Sequence, residues 1–239
     1  MAQSRIALVT GGNKGIGLEV ARQLAQAGLR VIIGARDASK ASTALADLAR
    51  DGVVVESIAL DLLDHITISD AASQIEKRHG HLDVLVNNAG IFDFADGTPS
   101  KASIAAARQV MEVNFIGTLA VTQLMLPLLR KAPEGRIVNL SSSLGSLTLN
   151  GDPTSPYYAN QFIGYNASKA ALNMLTVQLH EELKGTGIKV NSVSPGFVKT
   201  DLTGYGTMTP AEGARLPVQY ALGGDDGGRF MEPEGLTPW

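Results

Sequence analysis

Short runs of β-branched residues alternate with longer segments of helical period along most of this chain. The apolar runs lie at Ile6–Val9, Val31–Ile33, Val53–Leu60, Val84–Val86, Ile137–Leu140 and Val190–Val193, with a weaker seventh at Arg229–Glu232. Helical segments are predicted near residues 16–28, 38–50, 65–79, 103–131 and 165–185. Such alternation is typical of parallel strands joined by helical crossovers. The sequence therefore predicts an α/β fold, a doubly wound seven-stranded parallel sheet with helices on both faces.

Composition limits the organisation and the partners of the chain. With 239 residues, 44% of them hydrophobic, we expect one domain over residues 1–239. A net charge of −3, with scattered Lys and Arg, argues against nucleic acid as a partner. The first apolar run is too short for a signal peptide and no 18-residue apolar stretch occurs, so we predict no membrane segment and a cytoplasmic location. Gly and Pro concentrate after Pro195, which predicts loops and short helices there.

A glycine-rich turn follows the first predicted strand, in the order Thr10-Gly11-Gly12-Asn13-Lys14-Gly15-Ile16-Gly17, and leads directly into a helix. Glycine lets a pyrophosphate approach the backbone N–H groups and the positive end of the helix dipole. The spacing is GxxxGxG, and the simpler alternative is a turn that only packs a helix on a strand. Because the turn lies between the first predicted strand and a helix, it indicates a Rossmann-type dinucleotide site.

The end of the second strand reads Gly34-Ala35-Arg36-Asp37. NAD enzymes usually place an acidic residue there, on the ribose 2′-hydroxyl. Because Arg36 stands at about that position and Lys14 lies in the glycine loop, two cations are expected to face the 2′-phosphate of NADPH. In the alternative reading both cations are solvated surface charges and Asp37 binds the ribose.

Tyr165 and Lys169 are four residues apart on a predicted helix, so their side chains share one face. A phenol with a pKa near 10 needs roughly 4 kcal/mol of stabilisation to titrate near neutrality. A lysine about 4 Å away supplies about that much at an effective dielectric of 20. The pair therefore predicts an activated tyrosine acid, whereas a chance YxxxK on a solvated helix face is the alternative.

Taken together, the motifs of residues 5–201 resemble the short-chain dehydrogenase/reductase family. They are the glycine loop, Asp61, Asn87-Asn88-Ala89-Gly90, Asn114, Asn139-Leu140-Ser141-Ser142, Tyr165-Asn166-Ala167-Ser168-Lys169 and Ser194-Pro195-Gly196, in family order. This combination of motifs is far more specific than any one of the motifs alone. It implies fold, cofactor and chemistry together.

The resemblance implies a catalytic set of Asn114, Ser142, Tyr165 and Lys169. Tyr165 would protonate the carbonyl oxygen, and Ser142 would hydrogen-bond the same oxygen. Lys169 would lower the phenol pKa and hold the nicotinamide ribose, and Asn114 would anchor a water that relays protons. Ser142 matches the family pattern, with Ser143 as the alternative.

The resemblance also implies the remaining cofactor contacts. With the residues above, the full NADPH set is Gly11, Asn13, Lys14, Gly15, Ile16, Gly17, Arg36, Asp61, Leu62, Asn88, Ala89, Gly90, Tyr165, Lys169, Pro195, Gly196, Val198 and Thr200. Asn-Asn-Ala-Gly and Pro-Gly are also ordinary turn sequences. Their order alongside the other motifs supports the family interpretation.

Ser142 and Tyr165 stand 23 residues apart, about ten more than in many members of the family, which predicts an active-site insertion over residues 143–164. This insertion and the opening motif resemble the carbonyl-reductase branch. A substrate-loop region is predicted over residues 197–227. The insertion lies near a surface that other members use for assembly, so the oligomeric state stays open between monomer and homo-oligomer.

The expected substrate pocket is apolar, which suits aryl or alkyl ketones. Its predicted members are Ser142, Leu144, Phe92, Phe197 and Tyr205, with Trp239 either joining them or covering the sheet edge. His65, His79, His81 and His180 are spread over separate segments, so we predict no metal site.

The predicted function is NADPH-dependent reduction of a ketone or aldehyde, a small-molecule carbonyl substrate. Three alternatives remain: a reductase of ketoacyl thioesters, a dehydrogenase of sugar or steroid alcohols, and a non-catalytic NADPH-binding sensor. A sensor needs the glycine loop but not Asn114, Ser142, Tyr165 and Lys169 together, which favours an enzyme.

Overall fold

The computed structural model describes residues 4–224 and 226–239. Its strands are β1 (Ile6–Thr10), β2 (Arg30–Ala35), β3 (Glu56–Ala59), β4 (Val84–Asn87), β5 (Arg136–Leu140), β6 (Lys189–Val193), β7 (Phe230–Glu232) and β8 (Gly235–Leu236). Its α-helices are α1 (Gly15–Gln26), α2 (Ala38–Arg50), α3 (His65–His79), α4 (Ile104–Met111), α5 (Thr118–Leu129), α6 (Leu147–Gly151), α7 (Ile163–Glu182) and α8 (Pro210–Leu222). A π turn (Glu112–Gly117) joins α4 to α5, and a 3₁₀ turn (Ser143–Gly145) precedes α6.

The strands form one sheet in the order β3-β2-β1-β4-β5-β6-β7-β8. Pairing is parallel from β3 through β7, and the strand order reverses between β1 and β4. This confirms the doubly wound Rossmann-type fold. The seven parallel strands correspond to the prediction; the chain then turns back after β7 and adds an eighth strand, β8, which pairs with β7 antiparallel and was not predicted.

Successive residues of β1 point to opposite faces of the sheet, as the pleat requires. Ile6 and Leu8 pack on one face with buried residues of α3, α5 and α7. Ala7 and Val9 pack on the other face with buried residues of α1, α2 and α8. Both faces of the sheet are thus covered, which explains why its strands read as continuous apolar runs.

Several element boundaries differ from the sequence prediction. Strand β3 begins only at Glu56, because the Val53 N–H donates to Leu48 O at 3.0 Å and finishes the end of α2. The predicted helix over 103–131 is not continuous, since the π turn interrupts it. Helix α7 begins at Ile163, so Tyr165 is its third residue rather than its first.

Loops and short helices were predicted after Pro195, and within the predicted substrate-loop region, 197–227, the structure has one helix of 13 residues. Residues 210–222 form α8, whose buried Ala214 and Val218 belong to the core with α1. A capping box starts this helix: the Glu212 N–H donates to the Thr209 hydroxyl, and the Glu212 carboxylate accepts from the Thr209 N–H. Pro210 occupies its first turn, where a missing N–H costs little.

By length and composition alone, one helical run in the described part of the chain, Ile104–Leu129, would suffice to cross a membrane. Half of its most apolar stretch is buried inside the protein. Val121, Met125 and Leu128 of this run belong to the core against the sheet. Its apolar character is therefore accounted for by packing within the fold.

Candidate active site

A cleft of about 780 Å³ opens at the carboxyl edge of the sheet, where the strand order reverses between β1 and β4. Doubly wound sheets bind ligands at this crevice. Every residue that the sequence assigned to the cofactor lines the cleft, as do Ser142, Leu144, Phe92, Phe197 and Tyr205. The fold thus brings together residues from at least five separate segments of the chain.

The glycine loop forms the floor of one half of the cleft. Gly11 and Gly15 have φ of +62° and +55°, a left-handed conformation that favours glycine. A side chain at Gly17 would overlap the Asn88 amide and the Gly11 carbonyl. Lys14 is the N-cap residue of α1, and an ammonium cannot accept hydrogen bonds from the first-turn N–H groups. The helix start therefore offers donors to an anion in the cleft.

Reciprocal hydrogen bonds connect the glycine loop to the turn after β4. The backbone N–H groups of Asn88 and Ala89 both donate to the Thr10 hydroxyl at 3.0 Å. The Asn88 amide donates in return to the Thr10 carbonyl at 2.8 Å and the Gly11 carbonyl at 3.2 Å. The Asn88 side chain thus shapes the loop, while Ala89 and Gly90 line the cleft beside it.

The two residues after β2 have different surroundings. Arg36 is exposed and lines the cleft. The Asp37 carboxylate accepts from the Lys40 N–H at 3.0 Å and caps α2. Lys14 also lines the cleft and pairs with Asp201 at 3.2 Å. This geometry favours Arg36 over Asp37 as the residue that meets the adenosine ribose.

Asp61 and Leu62 lie at the same end of the cleft, after β3. An Asp61 carboxylate oxygen accepts from the Leu63 N–H at 3.0 Å, and the Asp61 N–H donates to the Thr67 hydroxyl at 3.0 Å. These bonds set the path of the backbone between β3 and α3. The carboxylate is thereby held at the edge of the cleft.

Tyr165 and Ser142 meet on the opposite side. Their side chains share a hydrogen bond, and both residues are partly exposed to the cleft. Lys169, one helical turn later, is buried and donates to the Leu140 carbonyl at 2.7 Å. Its Nζ lies 5.7 Å from the centre of the Tyr165 ring. Two hydroxyl groups and one ammonium group thus surround a single point of the cleft wall.

Burial is the largest cause of the pKa shifts of Tyr165 and Lys169. Loss of hydration raises the pKa of Tyr165 to about 12, and the hydrogen bond with Ser142 opposes part of that rise. Desolvation lowers the pKa of Lys169 to about 8. Without cofactor the pKa of Tyr165 is therefore raised and not lowered, and the lowering of the phenol pKa by Lys169 stays a prediction. At neutral pH the phenol carries its proton.

The buried ammonium should make stability depend on pH. The folded-state pKa of Lys169, about 8, lies below its ordinary value of 10.5, so between these values the unfolded chain binds more protons. The free energy of unfolding then rises with pH through this window, by about 3 kcal/mol from this group. We expect Lys169→Met to remove that rise. Urea unfolding of both proteins at several pH values between 7.5 and 10.5 checks this, and parallel curves would contradict it.

Ser142 and Ser143 are in different environments. The buried Ser143 hydroxyl donates to Glu232 at 2.5 Å and lies 3.0 Å from the Ser194 hydroxyl. The Ser142 hydroxyl lines the cleft beside Tyr165 and accepts from the Leu144 N–H at 3.2 Å. Only Ser142 of the two therefore faces a ligand in the cleft.

Asn114 lies in the π turn, and its side chain does not line the cleft. Its carbonyl oxygen accepts from the Ile91 N–H at 2.8 Å, and its amide donates to the Ile91 carbonyl at 2.9 Å and the Ser168 hydroxyl at 3.1 Å. The buried side chain thus joins the segment after β4 to the helix that carries Tyr165. π turns are frequent at functional sites. The water-anchoring role stays a prediction.

An aromatic cluster forms the wall next to Tyr165. The Phe92 ring makes edge-on contacts with Tyr165, Phe162 and Phe94 at centroid distances of 5.4, 5.0 and 5.2 Å. Phe94 and Phe162 were missed, because single aromatic residues in loops carry no periodic signal. Trp239 does not line the cleft: its ring stacks on Phe230 at 5.5 Å, which matches the sheet-edge alternative.

Two sets of bonds hold the insertion against the cleft. The Tyr157 hydroxyl donates to Glu232 of β7 at 3.1 Å. The Asn166 amide donates to Asn150 Oδ1 and the Asn160 carbonyl, both at 2.9 Å. Asn160 and Phe162 of the insertion line the cleft. The insertion therefore borders the proposed reaction centre, as its position between Ser142 and Tyr165 predicted.

Comparison with known proteins shows the family to which this chain belongs. A sequence profile described as short chain dehydrogenase matches residues 5–209. The chain belongs to the short-chain dehydrogenase family. The resemblance drawn from the motifs is thereby confirmed, over nearly the same residues.

Other members of the short-chain dehydrogenase family match almost the whole chain. Carbonyl reductase (NADPH) 1 of Homo sapiens is 33% identical, and the match covers 98% of both chains. Salutaridine reductase of Papaver bracteatum is 32% identical over 95% of this chain and 93% of its own. A structure of NADPH-bound carbonyl reductase from chicken fatty liver superposes with a TM-score of 0.85 at 31% identity, covering 99% and 100% of the two chains. These matches place the chain beside the carbonyl-reductase branch.

Proposed function

We propose that this short-chain dehydrogenase is an NADPH-dependent carbonyl reductase that converts a ketone or aldehyde to an alcohol in the cytoplasm. The observation that carries the proposal is the pair of hydroxyl groups, Ser142 and Tyr165, hydrogen-bonded to each other on the cleft wall. The relatives named as carbonyl reductases support the same reaction class.

The residues of the cleft fit a dinucleotide phosphate. The glycine loop and the start of α1 line the cleft, where their backbone N–H groups can bind a pyrophosphate, and Arg36 presents an exposed side chain to a 2′-phosphate. When bound, NADPH supplies the hydride of the reaction. Lys169 is the residue that would hold the nicotinamide ribose. Pro195, Gly196, Val198 and Thr200 line the same cleft.

Tyr165 acts in this proposal as the general acid. Its raised pKa keeps the phenol protonated at neutral pH, so the acid is loaded before the substrate arrives. The proton moves from the phenol oxygen to the carbonyl oxygen as negative charge develops there. Ser142 donates a hydrogen bond to the same oxygen and stabilises that charge.

The aromatic and aliphatic wall suits a substrate with an apolar body. Phe92, Phe162 and Leu144 line the cleft, Phe92 in contact with Tyr165, and the exposed residues Phe197 and Tyr205 line it as well. Apolar pockets with few polar anchors bind through buried surface area and use the anchors for orientation. Here the orienting groups are the two hydroxyls.

The test is to mix the purified protein with NADPH or NADH and a panel of ketones, aldehydes and ketoacyl thioesters, following loss of reduced-cofactor absorbance. Turnover of ketones or aldehydes with NADPH is the expected result. Turnover of acyl thioesters alone would replace the proposal with a ketoacyl reductase. Tight cofactor binding without any turnover would overturn it in favour of an alcohol dehydrogenase or a sensor.

The two adjacent serines give a sharper test of the site. We expect Ser142→Ala to lower kcat by about a hundredfold, because one donor to the developing oxyanion is lost. Ser143→Ala should lower kcat by less than about tenfold and destabilise the protein by about 1–3 kcal/mol, because Ser194 and Glu232 lose a buried partner. Steady-state kinetics and thermal unfolding of both variants check this. The opposite ranking of kcat would assign the role to Ser143.

A further inference from the structure

The start of the helix that carries Tyr165 is capped by a distant segment of the chain. Its N-cap residue, Phe162, has no side-chain acceptor for the first-turn N–H groups. The Ile163 N–H instead donates to the Gly97 carbonyl at 2.9 Å. The N–H groups of Gly164 and Tyr165 donate to the two carboxylate oxygens of Asp96, at 3.0 and 2.8 Å.

The Asp96 contacts are both close and directional. One carboxylate oxygen also accepts from the Gly97 N–H at 2.8 Å, which fixes the carboxylate relative to its own loop. A carboxylate at a helix N-terminus is favoured by the helix dipole as well as by the hydrogen bonds. Asp96 thus holds the backbone nitrogen of Tyr165 itself, not merely the helix as a whole.

Packing at Gly164 tightens the same junction. A methyl group at Gly164 would lie 2.8 Å from Ala107 Cα of α4 and 3.1 Å from an Asp96 carboxylate oxygen. The start of α7 therefore lies so close to α4 and Asp96 that a side chain at position 164 would collide with them. Any shift of Asp96 would be transmitted to Tyr165 through two bonded N–H groups.

Asp96 also ends the segment that carries the aromatic wall. Phe92 and Phe94 precede it in the turn after β4, and the Phe92 ring contacts Tyr165. The Asp96 carboxylate therefore connects the start of the phenol-bearing helix to the loop that carries Phe92 and Phe94. Asn114 makes a second connection farther along, between Ile91 and Ser168.

We propose that Asp96 is a positioning residue, which sets the placement of the Tyr165 phenol relative to Ser142 and the substrate. This inference rests on the proposed reductase function. Asp96 itself does not line the cleft, so it acts through Tyr165 and not on the substrate. Misplacement of a reacting group by about 1 Å costs on the order of a hundredfold in rate.

The test uses Asp96→Asn, which preserves size but replaces one acceptor oxygen with a donor. We expect kcat at a temperature well below unfolding to fall by about ten- to a hundredfold. The Kd for NADPH should stay within about twofold, because the glycine loop and Arg36 are untouched. The kinetic isotope effect with NADPH deuterated at the nicotinamide C4 should rise as the chemical step becomes limiting.

Two further variants separate positioning from stability. Asp64→Asn makes the same change at the N-cap of α3, where Asp64 accepts from the Ile66 N–H at 2.9 Å, and should leave kcat unchanged. Gly164→Ala disturbs the junction from the helix side and should lower kcat as Asp96→Asn does. Wild-type kcat in the Asp96→Asn protein, or equal losses of kcat and cofactor affinity, would overturn the inference.

Amide hydrogen exchange over residues 163–166 reports the cap independently of activity. Asp96→Asn should speed exchange there, while Asp64→Asn should not. If the wild-type protein reduces no carbonyl compound, the proposed function fails while this exchange measurement still tests the cap. Unchanged exchange would refute the cap itself, whatever the substrate.

Discussion

Replacing Tyr165 with phenylalanine is expected to lower kcat for carbonyl reduction by about 10³-fold while leaving the Kd for NADPH nearly unchanged. Proton donation by a positioned side chain contributes typically 10²–10⁴-fold. Phenylalanine keeps the ring that contacts Phe92 and loses only the hydroxyl that bonds to Ser142. Stopped-flow single turnovers with bound NADPH, beside cofactor titrations, separate the chemical step from binding.

A matched control exists for this change. Tyr220, on α8, is partly buried and outside the cleft. Tyr220→Phe makes the same chemical alteration and should leave kcat within about twofold, because it touches no reacting group. A Tyr165→Phe protein that retains wild-type kcat would remove Tyr165 from the mechanism. Loss of cofactor binding in that protein would show that the hydroxyl serves the cofactor instead.

Replacing Arg36 with alanine is expected to raise the Kd for NADPH by about ten- to a hundredfold and to change the Kd for NADH by less than about twofold. Hydrogen bonds to charged groups contribute about 1.5–3 kcal/mol, and each 1.4 kcal/mol is tenfold in affinity. Only NADPH carries the 2′-phosphate that a guanidinium at this position would bind. Fluorescence titration with both cofactors measures the two constants.

Two further variants complete the test of cofactor choice. Arg50→Ala removes an exposed arginine from the far end of α2 and should affect neither cofactor. Asp37→Ala should weaken the start of α2 by about 1 kcal/mol without changing cofactor affinity. A larger loss for NADH than for NADPH in the Arg36→Ala protein would contradict the assignment of the 2′-phosphate to Arg36.

Much of the fold was predictable because its signals are local. Each buried parallel strand leaves an apolar run, and Gly11 and Gly15 mark the turn that the backbone conformation requires. Strand β8 was not predictable, because two residues beside Pro233 and Pro238 carry no periodicity. Helix α8 was not predicted as a separate element, because its glycine and proline residues are typical of loops. Thr209, Pro210 and Glu212 nevertheless form a recognisable helix-start signal.

The site was predictable where short motifs carry it and not where distant segments meet. The Tyr165–Lys169 spacing and the glycine loop can be recognised in the sequence alone. The cap by Asp96 depends on a contact between residues 68 and 69 positions apart, which no local pattern reports. The raised Tyr165 pKa likewise follows from burial in three dimensions, and spacing to Lys169 alone predicted the opposite direction.

The residues that line the cleft are held in two different ways. The strand ends β1 and β4 are interlocked by side chains that bond each other's backbone, so the dinucleotide half tolerates little change. By contrast, the residues Phe94, Phe197 and Tyr205 are 73%, 59% and 70% exposed and belong to loops. Replacing these three side chains, while Asp96 and the cofactor contacts on either side of Phe197 are kept, is therefore a route to altered selectivity that preserves the reaction centre.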